Sequence, residues 1–201
     1  MNYYTVLENI NPQLVIAIGP AGTGKTMHAC KKGLHHLRNG TVGNLIVTRP
    51  TVSIDNEQMG FLPGNLQDKM EPWALPIYDF FLEELTHYEL QSLLQKQVIE
   101  VSPIAYMRGR TFKNSYIIAD EMQNSSINQL KTLLTRLDDN SKIVLTGDLD
   151  QCDIENSGLD DLITRLTLSE IDSNYCHIQE FTMDDVKRSD FVKYILSIYS
   201  L

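Results

Sequence analysis

Eight consecutive residues have the types and spacing of a phosphate-binding loop. The loop follows the apolar run 14–18 with the pattern G-x-x-x-x-G-K-T, and it consists of Gly19, Pro20, Ala21, Gly22, Thr23, Gly24, Lys25 and Thr26. Its glycines allow backbone N–H groups to turn toward a polyphosphate, and the next helix presents its first amides to the same anion. In this pattern the lysine reaches the β- and γ-phosphates, and the Thr26 hydroxyl binds Mg²⁺. A purely structural turn needs neither group, so the pattern predicts a site for a nucleoside triphosphate.

Two carboxylates end a second apolar run. Asp120 and Glu121 directly follow the predicted strand 116–119, downstream of the phosphate loop. In that context we expect Asp120 to bind Mg²⁺ and Glu121 to polarise the attacking water as a general base. Gln123 is then close enough to sense the γ-phosphate or that water. The alternative is a solvated strand end without a catalytic role, which the upstream loop disfavours.

A third polar cluster follows the apolar run 142–146, with the pattern G-D-x-x-Q from Gly147 to Gln151. Ligands of open α/β sheets bind at the carboxyl ends of the strands. We therefore expect Asp148 to contact the bound nucleotide and Gln151 to act beside it in response to the γ-phosphate. The pattern is weak alone, but together with the two preceding motifs it favours a nucleotide hydrolase.

Alternating strands and helices must position these motifs. Short apolar runs predict strands at 14–18, 45–48, 98–101, 116–119, 142–146 and 176–179. We expect helices at 27–38, after Ser125 or Ser126, after Ser157, and at 184–199, the last of which would bury Val186, Phe191, Ile195 and Ile198. Residues 76–85 and 88–95 have helical spacing and predict a helical hairpin insertion at about 70–97. The predicted fold class is α/β, a three-layer P-loop NTPase sandwich around a mostly parallel sheet.

The amino-acid composition limits the number of domains and the class of protein that are possible. The 201 residues, 42% of them apolar, suffice for one domain, so we expect a single domain over 1–201. The first residues lack a basic apolar leader and no apolar run has the length of a bilayer, which predicts a cytoplasmic protein without a membrane partner. Three widely spaced cysteines without a C-x-x-C pair argue against disulfides and zinc. The net charge of −9 is concentrated after residue 146 and therefore weighs only weakly against a polynucleotide partner.

The segment 103–113 combines cations with aromatic rings and contains no acid. Cations neutralise phosphates and aromatic rings stack on bases, so this composition is typical of a loop that contacts single-stranded nucleic acid. The candidate contacts are Tyr106, Arg108, Arg110 and Lys113. An ordinary charged surface turn is the alternative, and composition alone favours it.

The three motifs, in this order, resemble the first motor domain of superfamily 1 helicases. Further segments extend the similarity: T-R-P at 48–50, G-F-L-P-G at 60–64, A-Y-M-R-G-R-T-F at 105–112, D-E-M-Q-N at 120–124 and T-G-D at 146–148. Together they resemble the PhoH-like ATPase family over about residues 14–199. The resemblance implies a cytoplasmic, ATP-binding motor core, a link to phosphate starvation by name, and RNA or DNA handling by fold. We add Arg49 to the candidate nucleic-acid contacts.

Two departures from the family pattern concern the ends of the chain. Family members often carry a glutamine upstream of the first strand, which helicases use to recognise adenine, but no such residue precedes Gln13. Tyr3 or Tyr4 is then the candidate for stacking on the base. Near the other end, the usual V-R-H appears as Lys187-Arg188-Ser189, which keeps the arginine and loses the histidine.

The resemblance also raises the question of what completes the nucleotide site. A superfamily 1 helicase closes a second motor domain over ATP, whereas this chain has the motifs of one such domain. We therefore expect a homo-oligomer, for example a hexameric ring, in which Arg136 or Arg188 reaches the γ-phosphate bound by a neighbouring subunit. A surface ion pair is the alternative for either arginine.

The leading functional prediction is Mg²⁺-dependent ATP hydrolysis coupled to the binding or remodelling of RNA or single-stranded DNA. One alternative is a nucleotide-gated assembly or regulatory switch with little turnover. A P-loop small-molecule kinase is another, although D-E-x-Q and G-D-x-x-Q suit a water nucleophile. Phosphate release without an added acceptor distinguishes a hydrolase from a kinase, and tight ATP binding with negligible turnover would indicate a switch.

Overall fold

A computed structural model describes residues 2–50, 66–169, 171–187 and 189–199. Within these ranges six strands form one sheet: β1 Leu14–Ile18, β2 Asn44–Thr48, β3 Ile99–Val101, β4 Ser115–Ala119, β5 Lys142–Gly147 and β6 Cys176–Glu180. Their order is β3-β2-β4-β5-β1-β6, and each neighbouring pair is parallel. The predicted α/β fold is confirmed, with a described sheet that is parallel throughout.

The register of the sheet brings the three sequence motifs to one edge. Ile18, the last residue of β1, lies opposite Gly147 of β5, and Ala119 of β4 lies opposite Leu145. Since β4, β5 and β1 are neighbours and run in the same direction, the residues that follow them emerge side by side at their carboxyl ends. This edge is where an open parallel sheet binds its ligands.

Helices cover both faces of the sheet. They are α1 Tyr3–Leu7, α2 Lys25–Arg38, α3 Leu66–Leu82, α4 His87–Gln95, α5 Ile127–Leu134, α6 Gly158–Leu168 and α7 Asp190–Tyr199. Alternate residues of the strands enter two separate cores: Val15 and Ala17 pack with α1 to α4, whereas Ile16 and Ile18 pack with α5 and α6. The fold therefore has the predicted three layers. In the described part of the chain, no helix combines the length and apolar character needed to cross a bilayer.

Side-chain caps fix where the helices begin. Ser126 accepts a hydrogen bond from the Gln129 amide and forms a reciprocal capping box, and Ser157 caps α6 through the Asp160 amide. Both serines match the sequence prediction. Ser125 is instead buried, and its hydroxyl donates to the carbonyl of Met122.

The helical hairpin between β2 and β3 is present, but its first helix is longer than predicted. We expected this helix to begin at 76, because apolar residues at helical spacing were recognised from there to residue 85. Instead α3 begins at Leu66 and continues through Pro72 and Pro76. Ion pairs join the carboxyl end of α3 to α2, from Lys31 to Glu83 and from Arg38 to Glu84. The G-F-L-P-G segment that precedes α3 lies outside the described residues.

The prediction for the last helix was wrong in its start and in its buried face. Residues Met183–Asp185 form a separate 3-10 turn, which Thr182 and Asp185 close with a capping box, and α7 begins only at Asp190. Val186 is buried as expected, but Phe191 is 71% exposed and Ile198 is 47% exposed. Amphipathic spacing predicted that this segment contains a helix, but it could not show which face of the helix would be buried.

A short helix that the sequence did not predict, α1, is tied to the sheet by a buried lysine. The Lys142 ammonium donates to the carbonyl of Pro12 at 2.6 Å, in the connection between α1 and β1. Burial lowers the pKa of Lys142 from its ordinary value to about 7. The contact fixes the connection that leads from α1 to the strand preceding the phosphate loop.

Candidate active site

The phosphate loop joins the end of β1 to the start of α2 through three glycines with positive φ. These angles are 133° at Gly19, 86° at Gly22 and 84° at Gly24. Gly19 is also required by close packing, because a Cβ at this position would lie 2.2 Å from the carbonyl oxygen of Phe181. Glycine is the residue that tolerates such backbone angles, so the sequence pattern G-x-x-x-x-G-K-T has a direct conformational cause.

Lys25 is held inside the loop by oxygen atoms. Its ammonium donates to the carbonyl of Gly19 at 2.5 Å and to that of Pro20 at 2.8 Å, and it lies 3.3 Å from the Thr23 hydroxyl. Burial lowers the pKa of Lys25, and the carboxylates Asp148, Asp120 and Glu121 act in the opposite direction. The loop therefore concentrates a cation at the position where the motif predicts phosphate contacts.

Asp120 connects the loop to two strands. One carboxylate oxygen, Oδ1, accepts hydrogen bonds from the Thr26 hydroxyl at 2.7 Å and the Thr146 hydroxyl at 2.5 Å. These are hard oxygen donors, the kind that Mg²⁺ prefers. Within the described residues, no group of three or more His, Cys, Asp or Glu could hold a metal.

Glu121 has a left-handed backbone conformation, with φ 55° and ψ 38°. This conformation is uncommon outside glycine and costs on the order of 1–3 kcal/mol, and such strained residues cluster at functional sites. The Gln123 side-chain amide donates to Glu121 Oε2 at 2.7 Å. The carboxylate is therefore held at a fixed orientation at the end of β4.

Gln123 joins the second and third motifs. Its side-chain oxygen accepts a hydrogen bond from the Asp148 amide at 3.2 Å, and Gln123 itself is only 1% exposed. Asp148 in turn accepts a hydrogen bond from the Gln151 side chain at 2.7 Å. The sequence suggested that Gln123 senses the γ-phosphate or the attacking water, whereas the structure places it between Glu121 and Asp148.

One cavity of about 220 Å³ gathers most of the residues that were predicted for the nucleotide site. It is lined by Ala21, Gly22, Gly24, Lys25, Thr26, Asp120, Glu121, Asp148 and Gln151, together with Met27, Phe80 and Gly147. Phe80 comes from α3 and was not predicted, because nothing local in the sequence indicates that the hairpin reaches the site. The arrangement combines one cation, several carboxylates and backbone amides around a common space.

Of the two predicted arginine fingers, Arg136 is described by the structure and does not line this cavity. The Arg136 carbonyl accepts a hydrogen bond from the Phe112 amide at 2.8 Å, shortly before β4 begins. Arg136 therefore lies toward the amino-terminal edge of the sheet, opposite the edge that bears the phosphate loop. Arg188 lies outside the described residues. Any action of Arg136 on a phosphate would have to be on a neighbouring subunit.

In the basic segment 103–113, Arg110 is paired with other residues of the chain, whereas other candidate side chains are exposed to solvent. Arg110 forms two hydrogen bonds to Glu100, and its guanidinium lies 4.9 Å from the centroid of the buried Phe112 ring. These contacts satisfy Arg110 within the chain. Tyr106 is 55% exposed, and Arg108 and Lys113 are also exposed. The other candidate, Arg49, directly follows β2 and is half-buried.

Three residues near the ends of the chain support the loop and were not predicted to do so. The Tyr3 hydroxyl donates to the carbonyl of Lys25 at 2.9 Å, and the Lys187 amide donates to that of Gly22 at 3.0 Å. Phe181 packs edge-on against Tyr3, with ring centroids 5.3 Å apart. Because these contacts join residues that are distant in the sequence, no short sequence pattern predicts them.

Comparison with known proteins identifies relatives along nearly the whole chain. The family model described as "PhoH-like protein" matches residues 1–200. A PhoH-like protein of Mycobacterium tuberculosis H37Rv is 41% identical over 187 residues, which are 93% of this chain and 53% of that protein. A PhoH-like protein of Bacillus subtilis is 41% identical over 189 residues, 92% of this chain and 58% of that protein. Protein PhoH of Escherichia coli K12 is 37% identical over 205 residues, 100% of this chain and 56% of that protein. The chain thus spans about half the length of these relatives.

Replacing Gly19 with alanine should destabilise the fold. Because the new Cβ meets the Phe181 carbonyl, we expect the free energy of unfolding to fall by about 2–4 kcal/mol. Gly40→Ala is the matched control: Gly40 also has positive φ, 68°, but no atom lies within 4 Å of its Cβ position. This control should cost about 1–2 kcal/mol. Urea denaturation measures both values, and equal losses would show that Phe181 does not restrict Gly19.

Proposed function

The chain belongs to the PhoH-like protein family, and from that premise we propose that it binds ATP with Mg²⁺ and hydrolyses it. The observation that carries the proposal is the Asp120 carboxylate, which accepts a hydrogen bond from the Thr26 hydroxyl at 2.7 Å beside the loop that surrounds Lys25. Thr26 and Asp120, the two predicted Mg²⁺ ligands, are thus in direct contact although they are 94 positions apart in the sequence. A glycine-rich turn with no role in nucleotide binding does not require this arrangement.

In the proposed reaction the loop and Lys25 bind the phosphates. Thr26 and Asp120 hold Mg²⁺, which when bound neutralises phosphate charge and orients the phosphates. Glu121 accepts a proton from the attacking water, and Gln123 keeps the Glu121 carboxylate correctly oriented. Asp148 and Gln151 lie on the same cavity and respond to the γ-phosphate.

We further propose that hydrolysis is coupled to the binding of RNA or single-stranded DNA through the exposed part of the basic segment. Tyr106 offers a ring for base stacking, and Arg108 and Lys113 offer charges for phosphates. Arg110 and Phe112 maintain the conformation of the segment, since Arg110 is paired with Glu100 and Phe112 is buried. The nucleic-acid contact is thus assigned to three of the predicted residues in this segment, with Arg110 supporting them.

A homo-oligomer, such as a ring of six subunits, would complete the nucleotide site in this proposal. Arg136 or Arg188 of a neighbouring subunit would then neutralise charge at the γ-phosphate, an effect worth roughly 10³–10⁵ in rate where it has been characterised. The position of Arg136, away from the cavity of its own chain, is compatible with action in trans only.

Glu121→Gln should reduce steady-state phosphate release by about 10²–10⁴-fold, because glutamine cannot accept the proton from water. The affinity for ATP should stay within about threefold, since Glu121 is not proposed to hold the phosphates. Glu155→Gln is the control, because Glu155 is exposed and lies outside the cavity. Equal turnover of Glu121→Gln and wild type would remove Glu121 from the mechanism.

The double variant Arg108→Ala/Lys113→Ala should bind single-stranded RNA more weakly and with a smaller salt dependence. Loss of two phosphate contacts should reduce the slope of log K against log salt concentration by about 1.4, given about 0.7 for each contact. Lys96→Ala removes an exposed cation elsewhere and should leave the slope unchanged. If the double variant keeps the wild-type slope, the contact does not lie on this segment.

Sedimentation velocity with ATP and Mg²⁺ tests the proposed oligomer. We expect a species larger than the monomer at micromolar concentration, because the arginine must come from a neighbouring subunit. If the protein sediments only as a monomer under these conditions and still hydrolyses ATP, no arginine acts in trans.

A further inference from the structure

Thr146 supplies a second hydroxyl donor to the carboxylate of Asp120. Its hydroxyl donates to Asp120 Oδ1 at 2.5 Å, the same oxygen that accepts a hydrogen bond from Thr26 at 2.7 Å. The two hydroxyl oxygens are 3.4 Å apart. Thr146 lies near the carboxyl end of β5 and was not among the predicted site residues. The contact therefore adds a third residue to the predicted pair of Mg²⁺ ligands.

Thr146 places a hydroxyl at the end of an apolar run in β5. Ile143, Val144 and Leu145 precede it, and all four residues are 0% exposed. Burying a hydroxyl costs free energy unless it forms a hydrogen bond, and valine would fill the same space without that cost. The bond to Asp120 is the contact that offsets the burial of the Thr146 hydroxyl.

The sheet anchors Thr146 independently of any ligand. Its strand, β5, lies between β4 and β1, and Thr146 itself is opposite Ala17 of β1. Thr26 differs, because it belongs to the first turn of α2 and is itself a predicted ligand of Mg²⁺. Thr146 is therefore the donor that can hold Asp120 in position both before and after the metal binds.

A place at the end of a buried strand does not by itself produce such a contact. Thr48 ends β2, which flanks β4 on the side opposite to β5, and it is also 0% exposed. Among the residues that the structure describes, the Thr48 hydroxyl has no hydrogen-bond partner. The two buried threonines on either side of β4 thus differ in whether their hydroxyl bonds to Asp120.

We propose that Thr146 is a positioning residue for the Mg²⁺ site, where its hydroxyl holds the Asp120 carboxylate in the orientation that binds the metal. This inference rests on the proposed binding of ATP with Mg²⁺ at the phosphate loop. Residues that bond to a ligand side chain without being ligands themselves typically change metal affinity or activity by about 10–100-fold when they are lost. Thr146 acts in this way through Asp120.

Calorimetric titration with adenylyl imidodiphosphate, a non-hydrolysable ATP analogue, tests the role of Thr146. Each protein is titrated once in excess Mg²⁺ and once in excess chelator, and the ratio of the two affinities isolates the contribution of the metal. Wild type should bind the analogue about 10–100-fold more tightly with Mg²⁺. Thr146→Val keeps the shape of the side chain but has no donor, and it should reduce this ratio to about threefold or less. Its affinity in chelator should stay within about twofold of wild type, whereas a general loss of structure would lower both affinities.

Two further variants control for the substitution itself. Thr146→Ser keeps the hydroxyl and should keep the wild-type ratio. Thr48→Val makes the same chemical change at a hydroxyl without a described partner, and it should match wild type in both titrations. A wild-type ratio in folded Thr146→Val would overturn the inference, and so would an equal loss in Thr48→Val.

The outcomes separate this inference from the proposed function. If wild type and Thr146→Val both depend on Mg²⁺ to the same extent, the phosphate loop and Asp120 keep their assignments and only the role of Thr146 falls. If wild type does not bind the analogue, or binds it equally without Mg²⁺, the proposed function is wrong and the role of Thr146 with it. Far-ultraviolet circular dichroism and thermal midpoints establish folding. If Thr146→Val does not fold, Thr146→Cys, whose thiol is a weak donor, should lose part of the ratio, and a wild-type ratio would overturn the inference.

Discussion

The hydrogen bonds at Asp120 determine much of the site. A single carboxylate oxygen accepts from Thr26 at the start of α2 and from Thr146 near the end of β5, while Asp120 itself follows β4. The contact therefore depends on three elements being in register. The parallel pairing of β4 with β5 and of β5 with β1 provides this register. A shift of one residue in either pairing would separate the predicted Mg²⁺ ligands, because successive side chains of a strand point to opposite faces.

The surrounding contacts hold this arrangement in place. Gly19 permits the chain to pass against Phe181, and Gln123 links Glu121 to the amide of Asp148. On the outer side, Tyr3 and Lys187 bond to carbonyls of the phosphate-loop region. The loop is thus supported from the sheet and from both ends of the described chain. Preorganisation of this kind reduces the rearrangement needed when charge develops in a transition state.

Much of the fold and of the site could be predicted from the sequence, because both depend on local patterns. Short apolar runs identified the six strands, and the glycines and Lys25 identified the loop, since their types follow from backbone angles and charge. The exposure of Phe191 and the early start of α3 could not be predicted, because each depends on which distant surface covers an element. The pairing of Arg110 with Glu100 was missed for a related reason: composition shows that cations are present but does not show which are already paired. Tyr3, Phe80 and Phe181 reach the site only through tertiary packing.

We propose that the residues at the carboxyl ends of β1, β4 and β5 activate water for attack on ATP. The most direct test is phosphate release by wild-type protein from ATP with Mg²⁺, with no other acceptor present and with a parallel sample in excess chelator. We expect many phosphates to be released per chain, and we expect the chelator to abolish their release. Saturable ATP binding with no more than one phosphate released per chain would contradict hydrolysis and would indicate a nucleotide-dependent switch built on the same site.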